Sequence, residues 1–438
     1  MAKITCYGGA GSATGANFLL ELEGNISASV GVKRVLVDCG MEQGAGATEH
    51  NRREFAYDPS TIDILLVTHA HIDHIGLIPK LVKRGFKGEI YSTPETKDIA
   101  ELLLADAVKI QDEDPIYTLD DVSKSLSIWQ TLKYRQKKSF GTFSIEFLNA
   151  GHVLGSAFIR LTTERGTIVF TGDIGNSPSL LLEDREVVTK ADYLLMESVY
   201  GDRNHLGREE RVKRFEAVVQ ESIKRGGVLL IPAFSLERTQ ELLTLLDDMF
   251  EKRRLPSAPV YLDSPLALRI TPIFERVLGG DKFKFQELVK IVRVADSHEI
   301  WQTEGPKIII AGSGMGTAGR ILSHEARYLP DPNNTILFMG YQASGTLGRQ
   351  IEEGVKKVLI DEREVVVRAR VVKIEGFSGH ADSDALVDFV SKSASSLKKV
   401  FVAMGEPKSQ IFLAQRLRDE LGVNAVATEE GKSYQVEI

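Results

Sequence analysis

The chain has 438 residues, 43% of them hydrophobic and 26% charged, with a formal net charge of −7. These proportions describe an ordinary folded chain of about three domains, and no apolar run reaches the roughly eighteen residues of a membrane span. The acidic balance does not favour nucleic-acid binding through the global field, so contact with phosphates has to come from a local patch.

The start, Met1-Ala2-Lys3-Ile4-Thr5, enters an alternating pattern directly and lacks the features of a signal peptide, so a cytoplasmic location is expected. Cys6 and Cys39 form no zinc-ribbon spacing and read as packed thiols of a reducing compartment. The first two hundred residues predict strands over 4–7, 18–22, 33–37, 62–67, 143–148, 167–170 and 193–196, with interiors rich in Val, Ile, Leu and Phe. Helices are expected over 96–109 and 119–133, separated by a break at Asp112-Glu113-Asp114-Pro115. The basic run Lys133-Tyr134-Arg135-Gln136-Lys137-Lys138 reads as a solvated loop.

Five of these strands deliver a group that can bind a metal or move a proton: Asp38, His69, His152, Asp173 and Glu197. Polar loop ends explain any one of them. They explain poorly why the residues are acids and imidazoles in glycine-rich settings such as Asp38-Cys39-Gly40 and Gly172-Asp173-Ile174-Gly175. Strand ends in packed sheets gather at one edge, where active sites of sheet folds collect.

The densest stretch is Thr68-His69-Ala70-His71-Ile72-Asp73-His74. In an extended segment positions i and i+2 point the same way, so His69 and His71 reach one point. A turn into a helix would send Asp73 and His74 to a neighbouring point. Imidazole and carboxylate are ligands for zinc and similar metals. A hydrogen-bonded loop accounts for a lone histidine better than for this spacing.

From about 200, strands over 228–232, 260–263, 307–311 and 335–339 alternate with helices over 236–252, 266–278 and 320–328, which predicts a parallel α/β domain. Gly314-Met315-Gly316-Thr317-Ala318-Gly319 matches GxGxxG, but the next strand carries no acid for a ribose. The glycines read as a tight strand-to-helix turn. A β-rich alternation over 365–371 precedes Gly376-Phe377-Ser378-Gly379-His380. A helix over 383–393, a strand over 399–403 and a further helix to 421 follow.

In this order the residues resemble a metallo-β-lactamase-fold hydrolase of the β-CASP nuclease branch. Asp38 matches the family's first motif, His69-Ala70-His71-Ile72-Asp73-His74 the second, His152 the third and Asp173 the fourth. Glu197, in Glu197-Ser198-Val199-Tyr200-Gly201, and His380, in Phe377-Ser378-Gly379-His380, resemble the first two motifs peculiar to the branch. The resemblance implies an α/β chain: a four-layer αββα sandwich over 1–200 and 375–438, with a parallel α/β β-CASP domain inserted over 201–374.

It also implies roles. His69, His71 and His152 bind one Zn2+; Asp73 and His74 bind a second, with Asp173 bridging. Asp38 stands behind the ligands and orients them. Asp73 is catalytic with Glu197 and His380, the last two forming an acid pair that protonates the leaving oxygen. Arg203, Arg238, Ser264, Arg269, Arg320 and Ser378 are the candidates for substrate phosphate. The implied reaction is hydrolysis of single-stranded RNA by metal-activated hydroxide, leaving 5′-phosphate and 3′-hydroxyl ends. A homodimer and RNA-processing partner proteins are further expectations.

One position departs from the pattern. In Phe401-Val402-Ala403-Met404-Gly405-Glu406, Met404 stands where the family usually has a histidine ligand of the second zinc. A thioether is a soft, weak zinc ligand. The expectation is therefore one or two ions, the second held weakly. The alternative is an RNA-binding scaffold of the same fold with reduced or lost activity.

Overall fold

The computed structural model describes residues 1–22, 33–44, 46–111, 114–279, 289–290, 297–340, 342 and 345–438. Asp112 and Glu113 of the expected helix break, and Tyr341, lie outside the described residues. The chain divides into two compact units, Met1–Asn204 with Gly379–Ile438, and His205–Ser378.

The first unit holds two seven-stranded sheets. One runs Ser433–Val436, Ala2–Gly8, Asn17–Leu22, Arg34–Val37, Ile64–Leu66, Glu89–Ser92, Trp129–Thr131. The other runs Ala425–Ala427, Lys399–Val402, Tyr193–Met196, Thr167–Phe170, Ala157–Thr163, Phe143–Asn149, Lys137–Ser139. Strand side chains alternate between faces. Ile4, Phe18, Leu20, Val35 and Leu66 of one sheet meet Phe147, Ile159, Phe170, Leu195 and Phe401 of the other in a single cluster. Truncating one such phenylalanine to alanine costs about 3–5 kcal/mol.

The alternate residues Phe158, Val169, Leu194, Met196, Val400 and Val402 face outward. They pack on helices Ser383–Ser391 and Pro407–Leu421 through Leu386, Phe389, Val390, Leu413 and Leu417. On the first sheet the alternate residues Leu19, Leu36, Leu65 and Ile90 are also buried. Helices Ile78–Lys83 and Pro94–Lys109 both pack on Leu119–Ser127, and Pro94–Lys109 also touches Trp129–Thr131. The layers are helix, sheet, sheet, helix.

Two local expectations are corrected. The helix expected over 119–133 stops at Ser127, and Trp129–Thr131 is an edge strand parallel to Glu89–Ser92. Trp129 Nε1 donates to Ser92 Oγ at 2.8 Å. Aromatic and β-branched residues fit that half-buried edge, and pairing overrides the helical pattern. The basic run is only partly loop, because Lys137–Ser139 pairs with Phe143–Asn149. Its exposed lysines blunt the edge of the second sheet.

The second unit holds a sheet ordered Val289–Lys290, Val260–Asp263, Lys307–Ala311, Val228–Pro232, Thr335–Phe338, Arg370–Lys373. Every adjacent pair in it is parallel. Helices Arg238–Glu251, Pro265–Leu278 and Ile321–Tyr328 follow strands, as the βα alternation predicts. Ser264 opens the second of these: its hydroxyl accepts the Ala267 N–H and Pro265 takes the first helical position. The alternation over 365–371 splits between a hairpin, Lys357–Ile360 with Arg363–Val366, and the parallel strand Arg370–Lys373. Among the described residues no helix is long and apolar enough to cross a membrane.

Candidate active site

Arg34–Val37 and Ile64–Leu66 are parallel neighbours. In the facing sheet, Phe143–Asn149 and Thr167–Phe170 are both antiparallel to Ala157–Thr163, and Thr167–Phe170 is parallel to Tyr193–Met196. Asp38, His152, Asp173 and Glu197 therefore follow strands that leave by a common edge in each sheet, and His69 follows Ile64–Leu66.

Four donor atoms converge. His71 Nδ1 lies 3.1 Å from His69 Nε2 and 3.2 Å from His152 Nε2. Asp173 Oδ2 lies 3.3 Å from both of those Nε2 atoms. A tetrahedral metal with ligand arms of 2.0–2.1 Å requires edges of about 3.3 Å. One proton on His71 Nδ1 cannot serve both neighbouring imidazole nitrogens, whereas a metal ion would take all four donor atoms at once.

Burial pushes all three imidazoles down, aided by His74 at His69, by His69 at His71 and by His380 at His152. They favour the neutral form that binds metal. His152 Nδ1 donates to the Gly379 carbonyl at 3.0 Å, which leaves its Nε2 for the cluster. Burial pushes the Asp173 carboxyl up, but His74, His380 and His69 outweigh it and hold Asp173 well below the usual range.

A second pair lies alongside. His74 Nε2 and Asp173 Oδ1 are 3.4 Å apart, and both are buried with no hydrogen-bond partner. Buried polar atoms are rarely left unsatisfied, and a cation between these two would satisfy both. Behind them, His74 Nδ1 donates to Asp38 Oδ2 at 2.7 Å. Asp38 also accepts the Thr68 N–H at 2.8 Å and the Thr68 hydroxyl at 2.7 Å. Thr68 Oγ1 in turn lies 3.1 Å from His69 Nδ1. One buried carboxylate thus orients two imidazoles, one of them through a threonine. Asp38 holds its position with a left-handed φ of 59°, which aspartate tolerates better than most residues. Burial pulls the His74 imidazolium down, yet Asp173 and Asp38 outweigh it and raise it.

Asp73 lies in the first turn of the short helix Ile72–Ile75. Burial and Asp173 push its carboxyl up while His74 opposes them. Its main chain is fixed by Gly40, where a Cβ would fall 1.6 Å from the Asp73 carbonyl oxygen. Among the described residues, ligand atoms gather within 4.8 Å of one another in two groups: His69, His71, His152 and Asp173; and Asp173, Glu197 and His380. Asp73 is in neither.

The second group contains Glu197 and His380, the pair expected from the resemblance to act as the acid. Glu197 is fully buried, and its oxygens accept the Ile174 N–H at 2.6 Å and the Val199 N–H at 3.2 Å. His380 Nδ1 lies 3.1 and 3.2 Å from the two Glu197 oxygens and 3.8 Å from Asp173 Oδ2. A bridge to Gly175 and the Ala381 N–H bond to the Ile174 carbonyl, 2.7 Å long, hold His380 there. Burial pulls its imidazolium down, but Glu197 and Asp173 lift it to about 9. The helix that follows is capped by Asp382, whose side chain accepts the Ala385 N–H.

Met404 is 1% exposed and belongs to the cluster between the sheets. A Cβ on Gly9 would lie 2.4 Å from its sulfur, and its backbone has φ 43°. The thioether packs as a hydrophobe. Arg203 pairs with Asp202 at 2.8 Å and lies over the Tyr200 ring at 4.7 Å. In the second unit, Arg238 is ion-paired with Glu241, Arg320 with Asp263, Ser264 is buried, Ser378 is half-buried and Arg269 is exposed. Sequence reasoning missed Thr68 and Gly40. Both stand beside motif residues, and that adjacency was the signal available.

A Beta-Casp domain family model matches residues 239–351, a metallo-beta-lactamase superfamily model residues 31–202, and a Zn-dependent metallo-hydrolase RNA specificity domain model residues 364–428. Ribonuclease TTHA0252 of Thermus thermophilus is 36% identical over 95% of this chain and 96% of its own length. Transcription termination factor FttA of Methanosarcina mazei is 31% identical over 97% of this chain and 70% of its own. An RNase J-like protein of Methanocaldococcus jannaschii is 31% identical over 88% and 90%. The crystal structure of a protein of unknown function from Enterococcus faecalis V583 shares the fold, with a TM-score of 0.60 at 14% identity over 99% of both chains. The chain belongs to the metallo-β-lactamase superfamily, in the branch that carries a β-CASP domain.

Proposed function

We propose that this chain is a zinc-dependent ribonuclease that hydrolyses single-stranded RNA and leaves 5′-phosphate and 3′-hydroxyl ends. The observation that carries the reading is Asp173, whose carboxylate belongs both to the three-imidazole cluster and to the Glu197–His380 group. Water activation and leaving-group protonation are thereby joined in one place. The relative named a ribonuclease and the match to an RNA specificity domain support RNA as substrate.

His69, His71, His152 and Asp173 would hold one ion, and His74, Asp73 and Asp173 a second. When bound, zinc lowers the pKa of a water to about 7 and offsets the charge of the phosphodiester. Asp73 takes up a proton from the attacking water. His380, kept protonated by Glu197, gives a proton to the leaving 3′-oxygen. Asp38 and Thr68 keep His74 and His69 aimed. With Met404 turned to the core, the second ion is held more weakly than the first.

A labelled single-stranded RNA and a zinc analysis test this. Cleavage is expected to stop on chelation, return with zinc, and disappear in Asp73→Ala and His380→Ala, with ligatable 5′-phosphate on the products. RNA binding with zinc content near zero would favour the scaffold instead. Anomalous scattering at the zinc edge with two equally full sites would contradict the weak second ion. A cytoplasmic location, a homodimer and RNA-processing partners complete the proposal, and light scattering tests the dimer.

A further inference from the structure

Within the His205–Ser378 unit, Val228–Pro232 and Lys307–Ala311 are parallel neighbours. The chain leaves the first for Val260–Asp263, on the far side of the second. It leaves the second for Thr335–Phe338, on the far side of the first. Connections that depart from neighbouring strands in opposite directions open a crevice at the strand ends, the usual place for a ligand. Ser235, Ser264 and Gly312 follow these strands. The two serine hydroxyls are 3.0 Å apart, and a Cβ on Gly312 would meet them at 3.6 and 3.4 Å.

A chain of hydrogen bonds ends at this edge. Arg320, the residue just before helix Ile321–Tyr328, donates from Nη1 to Asp263 Oδ1 at 2.5 Å. His324 Nε2 donates to Asp263 Oδ2 at 2.8 Å, and Trp301 Nε1 donates to His324 Nδ1 at 3.2 Å. An indole N–H can only donate, so the His324 proton sits on Nε2 and is committed to Asp263. The Asp263 and His324 side chains are 0% exposed, whereas that of Arg320 is 29% exposed. The Arg320 side chain, unlike those of Asp263 and His324, reaches solvent. Burial pushes the Asp263 carboxyl up, but His324, Ser297 and Arg320 outweigh it and hold it at about 2. The acceptor is therefore anionic at neutral pH.

A carboxylate facing Arg320 alone would put its whole charge on the guanidinium. With His324 also bonded to Asp263, the carboxylate is fixed from two sides and holds Arg320 in place. We propose that Asp263, His324 and Trp301 are positioning residues that hold Arg320 at the sheet edge for a phosphate of the RNA substrate, a reading that rests on the proposed function. The two buried members, Asp263 and His324, touch no substrate and act, with Trp301 behind them, through the guanidinium.

The test is the salt dependence of binding to a phosphorothioate-linked single-stranded oligonucleotide, with KM on ordinary RNA alongside. Each phosphate contact contributes about 0.7 to the slope of log K against log salt for a single strand. Arg320→Met is expected to lower the slope by about 0.7 and raise KM about tenfold. His324→Leu is expected to lose the same slope. His324→Gln, whose amide can still donate to Asp263, is expected to restore it. Should His324→Leu fail to fold, Trp301→Phe, which removes the indole donor and keeps an aromatic ring, carries the same test. A destabilised but correctly arranged unit would change the melting temperature and leave the slope alone. An unchanged slope in His324→Leu, or in Trp301→Phe where that variant stands in, beside a lowered one in Arg320→Met overturns the positioning role and leaves the phosphate contact standing. An unchanged slope in Arg320→Met overturns both.

Discussion

Glu325 offers a test of burial energetics in the inserted unit. It sits on helix Ile321–Tyr328, is 0% exposed, and neither carboxylate oxygen has a hydrogen-bond partner. A side chain on Gly316 would come within 3.1 Å of one of those oxygens, so the turn lies directly against the carboxylate. Burial pushes this carboxyl from 4.5 up to about 8. With the folded-state value raised, the stabilising effect is fully present below 4.5 and is lost as pH rises to about 8, beyond which nothing more is lost.

Each pH unit in that window removes about 1.4 kcal/mol, so at pH 7 the acid costs about 3 kcal/mol relative to pH 4.5. Glu325→Met removes the titrating group at similar volume. The chain has 2 tryptophans, Trp129 in one unit and Trp301 in the other. Urea unfolding followed by Trp301 fluorescence in a Trp129→Phe background therefore reports on the right unit. The stability gained by Glu325→Met is expected to grow across pH 5 to 8 and then level. A gain that stays flat over that range would refute the reasoning.

Asp38→Asn keeps the shape but removes the carboxylate charge that His74 and Thr68 meet, and zinc affinity is expected to fall about 10–100-fold in competition with a chromophoric chelator. Gly40→Ala forces a Cβ onto the Asp73 carbonyl and is expected to cost about 3 kcal/mol or more, with zinc content falling alongside the melting temperature. Asp263→Asn has the opposite pH signature to Glu325→Met. The depressed carboxyl contributes stability above pH 4 that is lost as pH falls towards 2. The wild type is expected to lose about 2 kcal/mol more than Asp263→Asn over that acid range, measured by unfolding at a series of pH values.

The sequence was most informative where geometry is local. His69 and His71 converge because period-two alternation carries their side chains to one side, and the glycine-rich strand ends marked Asp38, His152 and Asp173. The parallel sheet of the insert was legible from its βα alternation. Two kinds of fact were not. Trp129–Thr131 became a strand because Glu89–Ser92 lay open beside it, a pairing decided by tertiary structure. Met404 stands at the position of a ligand, but its backbone φ of 43° and the space beside Gly9 direct its sulfur among hydrophobic side chains. No spacing rule foretells that direction. The Thr68 bridge was hidden for another reason: a hydroxyl carries no motif of its own.

His380 reaches Glu197 only after the chain has traversed the whole of 205–378. Lys399–Val402 then slots between Tyr193–Met196 and Ala425–Ala427, and Ser433–Val436 closes against Ala2–Gly8. Such long-range pairing is slow to form. In chain order the expected metal ligands His69, His71, His152 and Asp173 all precede His380, and neither sheet is complete until the segment after 425 has paired.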